Sequence, residues 1–185
     1  MALAKEQTLT AKNGTKVLIT SPSEDDGAEL LETMKVILKA SRHTLTTLEE
    51  FNFTVEKQKD RIQQHLSHPD KLIITPKVNG KIVGQTDFSP GVRNRIAHYG
   101  EFGMSIHPDY QGLGIGKMML EALLEWARSN PRLETVRLKV HSKNYRAISL
   151  YEKCGFILEG KEVRAIKFSD GTYDDVLLMA CHVQS

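Results

Sequence analysis

The run QGLGIGK, residues 111–117, brings three glycines together where the sequence pattern changes from strand to helix. A helix start offers backbone N–H groups without partners and the positive end of the helix dipole. Gly112, Gly114 and Gly116 would let a bound group approach the backbone closely, because no Cβ stands in its way. The dipole adds only about 0.3 to 1 kcal/mol, so directed N–H bonds must supply most of the binding. The segment predicts an anion site formed by Gln111, Gly112, Leu113, Gly114, Ile115, Gly116 and Lys117.

Two familiar phosphate-binding loops fit this segment poorly. A P-loop requires a serine or threonine after its lysine, but Met118 follows Lys117 and leaves no hydroxyl for magnesium. A dinucleotide fingerprint requires a third glycine at the position that Lys117 occupies. Glycines that only turn the chain are the remaining alternative to an anion site.

Histidine, cysteine and charge argue against several other chemistries. The seven histidines include no HExxH pair, and His65 and His68 lie at a predicted helix end beside Pro69, so no metal site is predicted. Cys154 and Cys181 form no CxxC pair and are expected to be inert thiols of a reducing, cytoplasmic compartment. A net charge of +2 is too small to indicate a nucleic-acid or membrane partner. No apolar stretch has the length of a signal or a membrane span, which needs about 18 residues.

Hydrophobic periodicity predicts the elements that position the glycine segment. The predicted strands are Lys16 to Thr20, Lys71 to Val78, Lys81 to Phe88, Ala97 to Ile106, Thr135 to Val140, Phe156 to Phe168 and Thr172 to His182. The predicted helices are Ala28 to Lys39, a broken pair within Thr47 to Ser67, Lys117 to Arg128 and Tyr145 to Lys153. Asn79-Gly80 is typical of a tight hairpin turn, and His107 to Gly116 is predicted to be a loop.

This order of elements indicates an α/β or α+β protein with a mixed sheet and helices on both faces. The 185 residues show no internal repeat, low-complexity tract or linker, and 40% of them are hydrophobic. That length and composition suit one ordinary globular domain, so residues 1–185 are predicted to form a single domain.

Two runs of the sequence resemble the motifs of a known family. MSIHPDYQGLGIGKMMLEALLEWA resembles the acetyl-coenzyme A motif of the GNAT acetyltransferases, with Gln111, Gly114 and Gly116 at its defining positions. LKVHSKNYRAISLYEKCGF resembles the second motif of that family, through Asn144, Ala147, Tyr151, Gly155 and Phe156. The resemblance implies a GNAT fold, whose mixed, mostly antiparallel central sheet is splayed at the cofactor site. It also implies acetyl-coenzyme A as cosubstrate, with no metal.

In this family the strand that matches Ala97 to Ile106 parts from the strand that matches Thr135 to Val140. The pantetheine arm lies in the gap, and the glycine loop holds the pyrophosphate. The resemblance therefore implies that backbone groups around Met104, Ser105 and Ile106 pair with the arm, much as an added strand would. A backbone N–H near Met104 is expected to polarise the thioester carbonyl and stabilise the oxyanion.

The resemblance also implies which groups move protons. Tyr151 matches the usual general acid of the family, which protonates the leaving thiolate. Glu101, near the middle of the strand beside the gap, is the first candidate for the base, and His98 is the second. Some relatives, including ribosomal-protein N-terminal acetyltransferases, carry a glutamate at the position of Lys139, so that base is missing here. Asn144 matches residues that contact coenzyme A and also suits a helix N-cap.

The predicted function is direct acetyl transfer from acetyl-coenzyme A to a primary amine of a small molecule, peptide or protein N-terminus. The alternative is a non-catalytic coenzyme A-binding sensor or partner-binding domain of the same fold. The acceptor stays open, because neither Ser41 to Ser67 nor the last hairpin carries a residue that distinguishes among amines. A homodimer through the C-terminal strand is a further expectation.

Overall fold

A computed structural model of the chain describes residues 3–184. The strands are β1 (Gln7–Thr10), β2 (Lys16–Thr20), β3 (Leu72–Val78), β4 (Lys81–Ile82), β5 (Gly84–Pro90), β6 (Tyr99–Ile106), β7 (Thr135–His141), β8 (Ile157–Lys167) and β9 (Tyr173–His182). The α-helices are α1 (Gly27–Ala40), α2 (Val55–Ser67), α3 (Ile115–Ser129) and the shorter α4 (Tyr145–Lys153).

The strands form one mixed sheet in the order β1-β2-β3-β5-β6-β7-β9-β8, with β4 paired to β3. Neighbouring strands run antiparallel except β6 and β7, which are parallel. The predicted fold class, a mixed and mostly antiparallel sheet with helices on both faces, is therefore confirmed.

Alternating residues of β3 show how the two faces of the sheet are covered. Leu72 and Ile74 belong to the larger hydrophobic core, which contains most of the apolar side of α3. Ile73 points to the opposite face and packs with Leu30 of α1 and Ile62 of α2 in a smaller cluster. Because neighbouring side chains of a strand point to opposite faces and both faces are covered here, Leu72, Ile73 and Ile74 are all apolar and buried.

The central strands part at the point that matters most for function. The β6–β7 ladder contains only the pairs from Tyr99↔Thr135 to Glu101↔Arg137. Beyond Glu101, β6 stays paired with β5 up to Ile106, and β7 stays paired with β9 up to His141. The expected splay between these two strands is therefore present, and it opens toward the start of α3.

Three predicted elements need correction, and one strand was missed. The segment Thr47 to Ser67 contains one helix, not a broken pair, because Thr54 caps α2 by accepting a hydrogen bond from the Lys57 N–H. The strand predicted over Lys81 to Phe88 is interrupted at Val83, whose N–H donates to the Pro76 carbonyl. Helix α3 begins at Ile115, two residues before the predicted start. Strand β1 was not predicted, since its four residues carry only one apolar side chain.

Candidate functional site

A groove of about 510 Å³ lies where β6 and β7 part, and it runs to the start of α3. Most of the residues predicted to bind a cofactor line it together. They are Met104, Ser105, Ile106, Gln111, Gly112, Gly114, Ile115, Gly116, Lys117 and Asn144, and Tyr151 joins them from α4. Leu113 does not line the groove; its carbonyl instead accepts a hydrogen bond of 3.0 Å from the Lys12 N–H.

The backbone of β6 has one satisfied edge and one open edge at this groove. The Gly103 carbonyl faces β5, where it accepts a hydrogen bond from the Thr86 hydroxyl at 2.7 Å. Successive residues of a strand direct their backbone groups to opposite edges, so Met104 and Ile106 direct theirs to the gap. The Gln111 side chain already donates to the Ile106 carbonyl at 3.1 Å. Met104 therefore offers the backbone N–H and C=O that face the open part of the gap.

Two glycines of the 111–117 segment have the left-handed backbone that the turn requires. Gly112 has a φ of +85°, and Gly114, the N-cap residue of α3, has a φ of +89°. At Gly116 a Cβ would be tightly placed, 3.2 Å from Ile106 Cδ1 and 3.3 Å from Leu150 Cδ2, so these two side chains would have to shift slightly. The segment turns tightly into α3 and presents the first N–H groups of that helix to the groove, as an anion site needs.

Four cationic side chains line the groove, and no carboxylate among residues 3–184 does. Lys117 and Lys153 come from α3 and α4, and Arg146 lies 3.5 Å from the Gln111 side-chain oxygen. Lys12 comes from the connection between β1 and β2, and its backbone bond to Leu113 fixes it beside the glycine segment. This charge pattern favours a ligand with several negative charges.

Tyr151 is almost completely buried, with 7% of its surface exposed, and its ring packs edge-on against Phe102 at 5.9 Å. Burial raises the pKa of the Tyr151 hydroxyl to about 12. The side chain is therefore protonated at neutral pH and lines the groove as a proton donor. Asn144 caps α4 by accepting a hydrogen bond of 3.3 Å from the Ala147 N–H, as its position predicts.

The two predicted bases lie at the edge of this arrangement. Glu101 is exposed and forms the last pair of the β6–β7 ladder, so it stands where the gap begins, but it does not line the groove. The hydrogen bond from Lys139 to Glu162 is the main cause of the raised pKa of Lys139, and the nearby Glu101 carboxylate raises this pKa slightly further. His98 is exposed and precedes β6, at the end of the strand away from the gap.

The groove also contains residues that were not predicted to belong to the site, among them Lys12, His43 and Arg146. Lys12 and Arg146 carry ordinary surface charges, and only the folded chain brings them to the glycine segment. His43 follows α1 in a segment without hydrophobic periodicity, yet it lines the same groove as Met104 and Tyr151.

A mixed sheet whose central strands part over a glycine-rich helix start defines the architecture of this protein. Comparison with known proteins identifies its family. Residues 38–156 match the sequence model described as the acetyltransferase (GNAT) family. The chain belongs to this family.

Individual relatives agree with this assignment. A spermidine N(1)-acetyltransferase of Vibrio cholerae is 35% identical over 86 residues, which are 46% of this chain and 49% of that protein. The chain thus aligns with about half the length of this curated relative. The crystal structure of a GNAT-family acetyltransferase from Streptococcus pneumoniae superposes with a TM-score of 0.87 at 28% identity, covering 90% of this chain and 99% of that one. The structure of YncA from Salmonella typhimurium, a putative acetyltransferase with its cofactor acetyl-CoA, has a TM-score of 0.79 at 19% identity, with coverages of 91% and 95%.

No helix within residues 3–184 combines the length and the apolar character that crossing a membrane requires. The same part of the chain holds no cluster of three or more side chains that could bind a metal ion.

Proposed function

We propose that this chain transfers an acetyl group from acetyl-coenzyme A to a primary amine. The observation that carries the proposal is the groove between the parted strands β6 and β7. It combines an open backbone edge at Met104, a glycine-lined helix start and a buried, protonated tyrosine. Family membership supports the same activity.

The residues of the groove fit acetyl-coenzyme A along its length. The N–H groups at the start of α3, with Lys12 and Arg146, suit the phosphates. The backbone edge of β6 at Met104 suits the amides of the pantetheine arm, because it offers the bonds that a neighbouring strand would take. Acetyl-coenzyme A, when bound, supplies an acetyl group activated as a thioester.

The chain's own groups then act at two places in the gap. The Met104 N–H is directed to the open edge of β6, where it can donate to a carbonyl oxygen that becomes more negative during transfer. Tyr151 holds its proton across the neutral pH range, because its pKa is about 12. The raised pKa makes Tyr151 a weaker acid than a free tyrosine, so its proton must pass to the sulfur while the carbon–sulfur bond breaks, which favours product formation.

The amine must lose a proton as well. An amine with an ordinary lysine pKa of about 10.4 lies roughly 3.4 pH units above neutrality, so deprotonating it costs about 4.6 kcal/mol at pH 7. A base or a water relay is therefore needed. Glu101 and His98 stay predictions for this role.

The test is thiol release from acetyl-coenzyme A with a panel of amines: spermidine, an L-amino acid, an aminoglycoside and a peptide with a free N-terminus. We expect amine-dependent release with at least one of them. Tyr151→Phe should lower kcat by about 10²-fold or more while acetyl-coenzyme A still binds. Tyr145→Phe is the matched control, because Tyr145 lies on the same helix, is 75% exposed and does not line the groove. Full turnover by Tyr151→Phe would contradict the role of the tyrosine, and binding without turnover in every arm would favour a coenzyme A-binding sensor.

A homodimer and a cytoplasmic location belong to this proposal too. The C-terminal strand β9 was the predicted dimer edge, and this was wrong, because β9 is paired on both sides, with β7 and with β8. Strand β8 forms this edge of the sheet instead, and its side chains Ile157, Leu158 and Val163 are more than half exposed. An exposed edge strand with apolar side chains suits pairing with a second copy. Cys154 and Cys181 are both free, as in proteins of a reducing compartment. Light scattering of the purified protein at several concentrations tests the dimer, since a monomer at all of them would contradict it.

A further inference from the structure

A buried histidine and a buried aspartate lie side by side on the far margin of the gap. His141 is the last residue of β7 and is 5% exposed, and Asp174 of β9 is 3% exposed. His141 Nδ1 lies 3.4 Å from Asp174 Oδ2. The other carboxylate oxygen accepts hydrogen bonds from the Ser142 hydroxyl at 2.6 Å and from the Asp175 N–H at 2.9 Å. The carboxylate is therefore fixed in place beside the ring.

The charge states of this pair follow from its surroundings. Burial lowers the pKa of His141, and His43 lowers it further, against the opposite effect of Asp174. Burial alone would raise the pKa of Asp174, but the hydrogen bonds from Ser142 and Asp175 outweigh it, and the net pKa is lowered. A neutral imidazole next to a carboxylate keeps its proton on the nearer nitrogen, Nδ1. The lone pair is then on Nε2.

The imidazole is buried without adequate partners. The contact of 3.4 Å to Asp174 is too poorly aligned for a hydrogen bond, and neither ring nitrogen of His141 has a hydrogen-bond partner among residues 3–184. Buried polar groups are nearly always paired, because an unpaired one costs free energy. A buried pair of a histidine and a carboxylate with unpaired ring nitrogens is therefore a candidate functional feature.

His43 connects this pair to the groove. Its ring stands at 75° to the His141 ring, with the ring centroids 5.6 Å apart. His43 is exposed and lines the groove that Met104 and Tyr151 also line. The segment that carries it is held over the turn between β8 and β9, because Arg42 lies over the Phe168 ring at 5.7 Å.

We infer that His43 is the base that takes the proton from the attacking amine, and that the His141–Asp174 pair positions its ring. The inference rests on the proposed acetyl transfer. The amine nitrogen forms a bond to the acetyl carbon and gives one proton to a ring nitrogen of His43. The bond from that carbon to sulfur breaks, and the sulfur takes one proton from Tyr151. His43 then returns its proton to water and Tyr151 regains one from water, so amine and thioester become amide and thiol.

The pH dependence has a defined sign. His43 can accept a proton only in its neutral form, so kcat/KM is expected to fall on the acidic side of the pH profile. The titratable and charged groups that face it or its partner are Arg42 on its own segment, His141 of β7, Lys143 after β7, Asp170 in the β8–β9 turn and Asp174 of β9.

The kinetic test compares variants with whichever amine of the panel is acetylated. We expect His43→Gln to lower kcat/KM by about 10²-fold or more, to lose the acidic limb of the pH profile, and to keep its affinity for acetyl-coenzyme A. His68→Gln, an exposed histidine outside the groove, should behave like the unmodified protein. Wild-type turnover with an intact acidic limb in His43→Gln would overturn the inference. Loss of that limb in Glu101→Gln but not in His43→Gln would also overturn it.

The positioning pair needs a measurement that a purely structural role would not change. Asp174→Asn should shift the acidic limb of the pH profile and reduce kcat, with KM for acetyl-coenzyme A unchanged. An unaltered profile in a folded Asp174→Asn protein would contradict the role of the pair. Circular dichroism and the melting temperature show whether this buried substitution is folded.

Nuclear magnetic resonance of the unmodified protein, labelled with ¹⁵N in its histidines, needs neither a variant nor an acceptor. We expect the spectrum of His141 at slightly alkaline pH to show a proton on Nδ1 and none on Nε2. A proton on Nε2 would overturn the arrangement. Failure of the proposed function has a different signature: the unmodified protein would neither bind acetyl-coenzyme A nor release thiol with any amine, whatever the state of His141.

Discussion

Replacing Gly114 by alanine separates two effects of the glycine segment, stability and ligand binding. Gly114 has a φ of +89°, and a Cβ placed there would make only an ordinary contact of 3.7 Å with the Lys12 side chain. The substitution therefore introduces backbone strain without a collision. For a residue other than glycine, the left-handed conformation costs about 1 to 2 kcal/mol.

The same strain can be created far from the groove. Gly80, in the turn between β3 and β4, has a φ of +79°, and a Cβ there would meet nothing within 4 Å. Gly80→Ala is therefore a matched control for Gly114→Ala. Each should lower the melting temperature by at least about 2 to 4 °C, the shift that 1 kcal/mol causes in a domain of 150–250 residues.

Ligand binding should distinguish the two variants. Relaxing the strained turn at Gly114 moves the N–H groups at the start of α3, and one lost hydrogen bond to a charged group costs about 1.5 to 3 kcal/mol. Calorimetric titration should then show Gly114→Ala binding acetyl-coenzyme A about tenfold to a hundredfold more weakly, with Gly80→Ala unchanged. Equal affinities in two folded variants would refute the assignment of the phosphate site to the start of α3.

Three further predictions concern charge and packing. Arg146→Ala should weaken acetyl-coenzyme A binding and reduce the salt dependence of that binding in titrations at several ionic strengths. Arg128→Ala, at the C-terminal end of α3 and away from the groove, should change neither. Gly84→Ala should destabilise the protein by about 1 to 3 kcal/mol in urea unfolding, because its Cβ would lie 2.5 Å from a carbonyl oxygen of β6. Burial raises the pKa of Asp26, but the ion pair of 2.7 Å with Lys77 and hydrogen bonds from Ser23 outweigh it, so the net pKa is lowered. The stability that ionised Asp26 contributes is therefore present above the unfolded pKa of about 3.9 and is lost as the pH falls below it. Asp26→Asn should flatten the acidic side of a plot of melting temperature against pH, and an unchanged plot would contradict this.

The cofactor half of the site could be predicted because its chemistry is local in sequence. The glycines between Gln111 and Lys117 need no distant partner to produce positive φ angles and free N–H groups at a helix start. Tyr151 was found through a motif, and its short helix lies directly after the strand that borders the gap. The predicted splay is present because both strands keep their other partners, β5 and β9, beyond the point where they part.

The acceptor side could not be predicted because long-range contacts create it. His141 meets Asp174 only through the pairing of β7 with β9. His43 belongs to residues 41–54, which form neither helix nor strand and therefore give no periodic signal. Lys12 reaches the glycine segment through the connection after β1, a strand too short and too polar to recognise.

Binding of acetyl-coenzyme A tests the central claim most directly. Thermal unfolding with the ligand at about 100 times its dissociation constant should show about 2.7 kcal/mol of added stability, which raises the melting temperature by several degrees. Isothermal titration should give one site per chain, and the complex should release thiol when the right amine is added. A folded protein whose melting temperature does not change with saturating acetyl-coenzyme A would contradict the account.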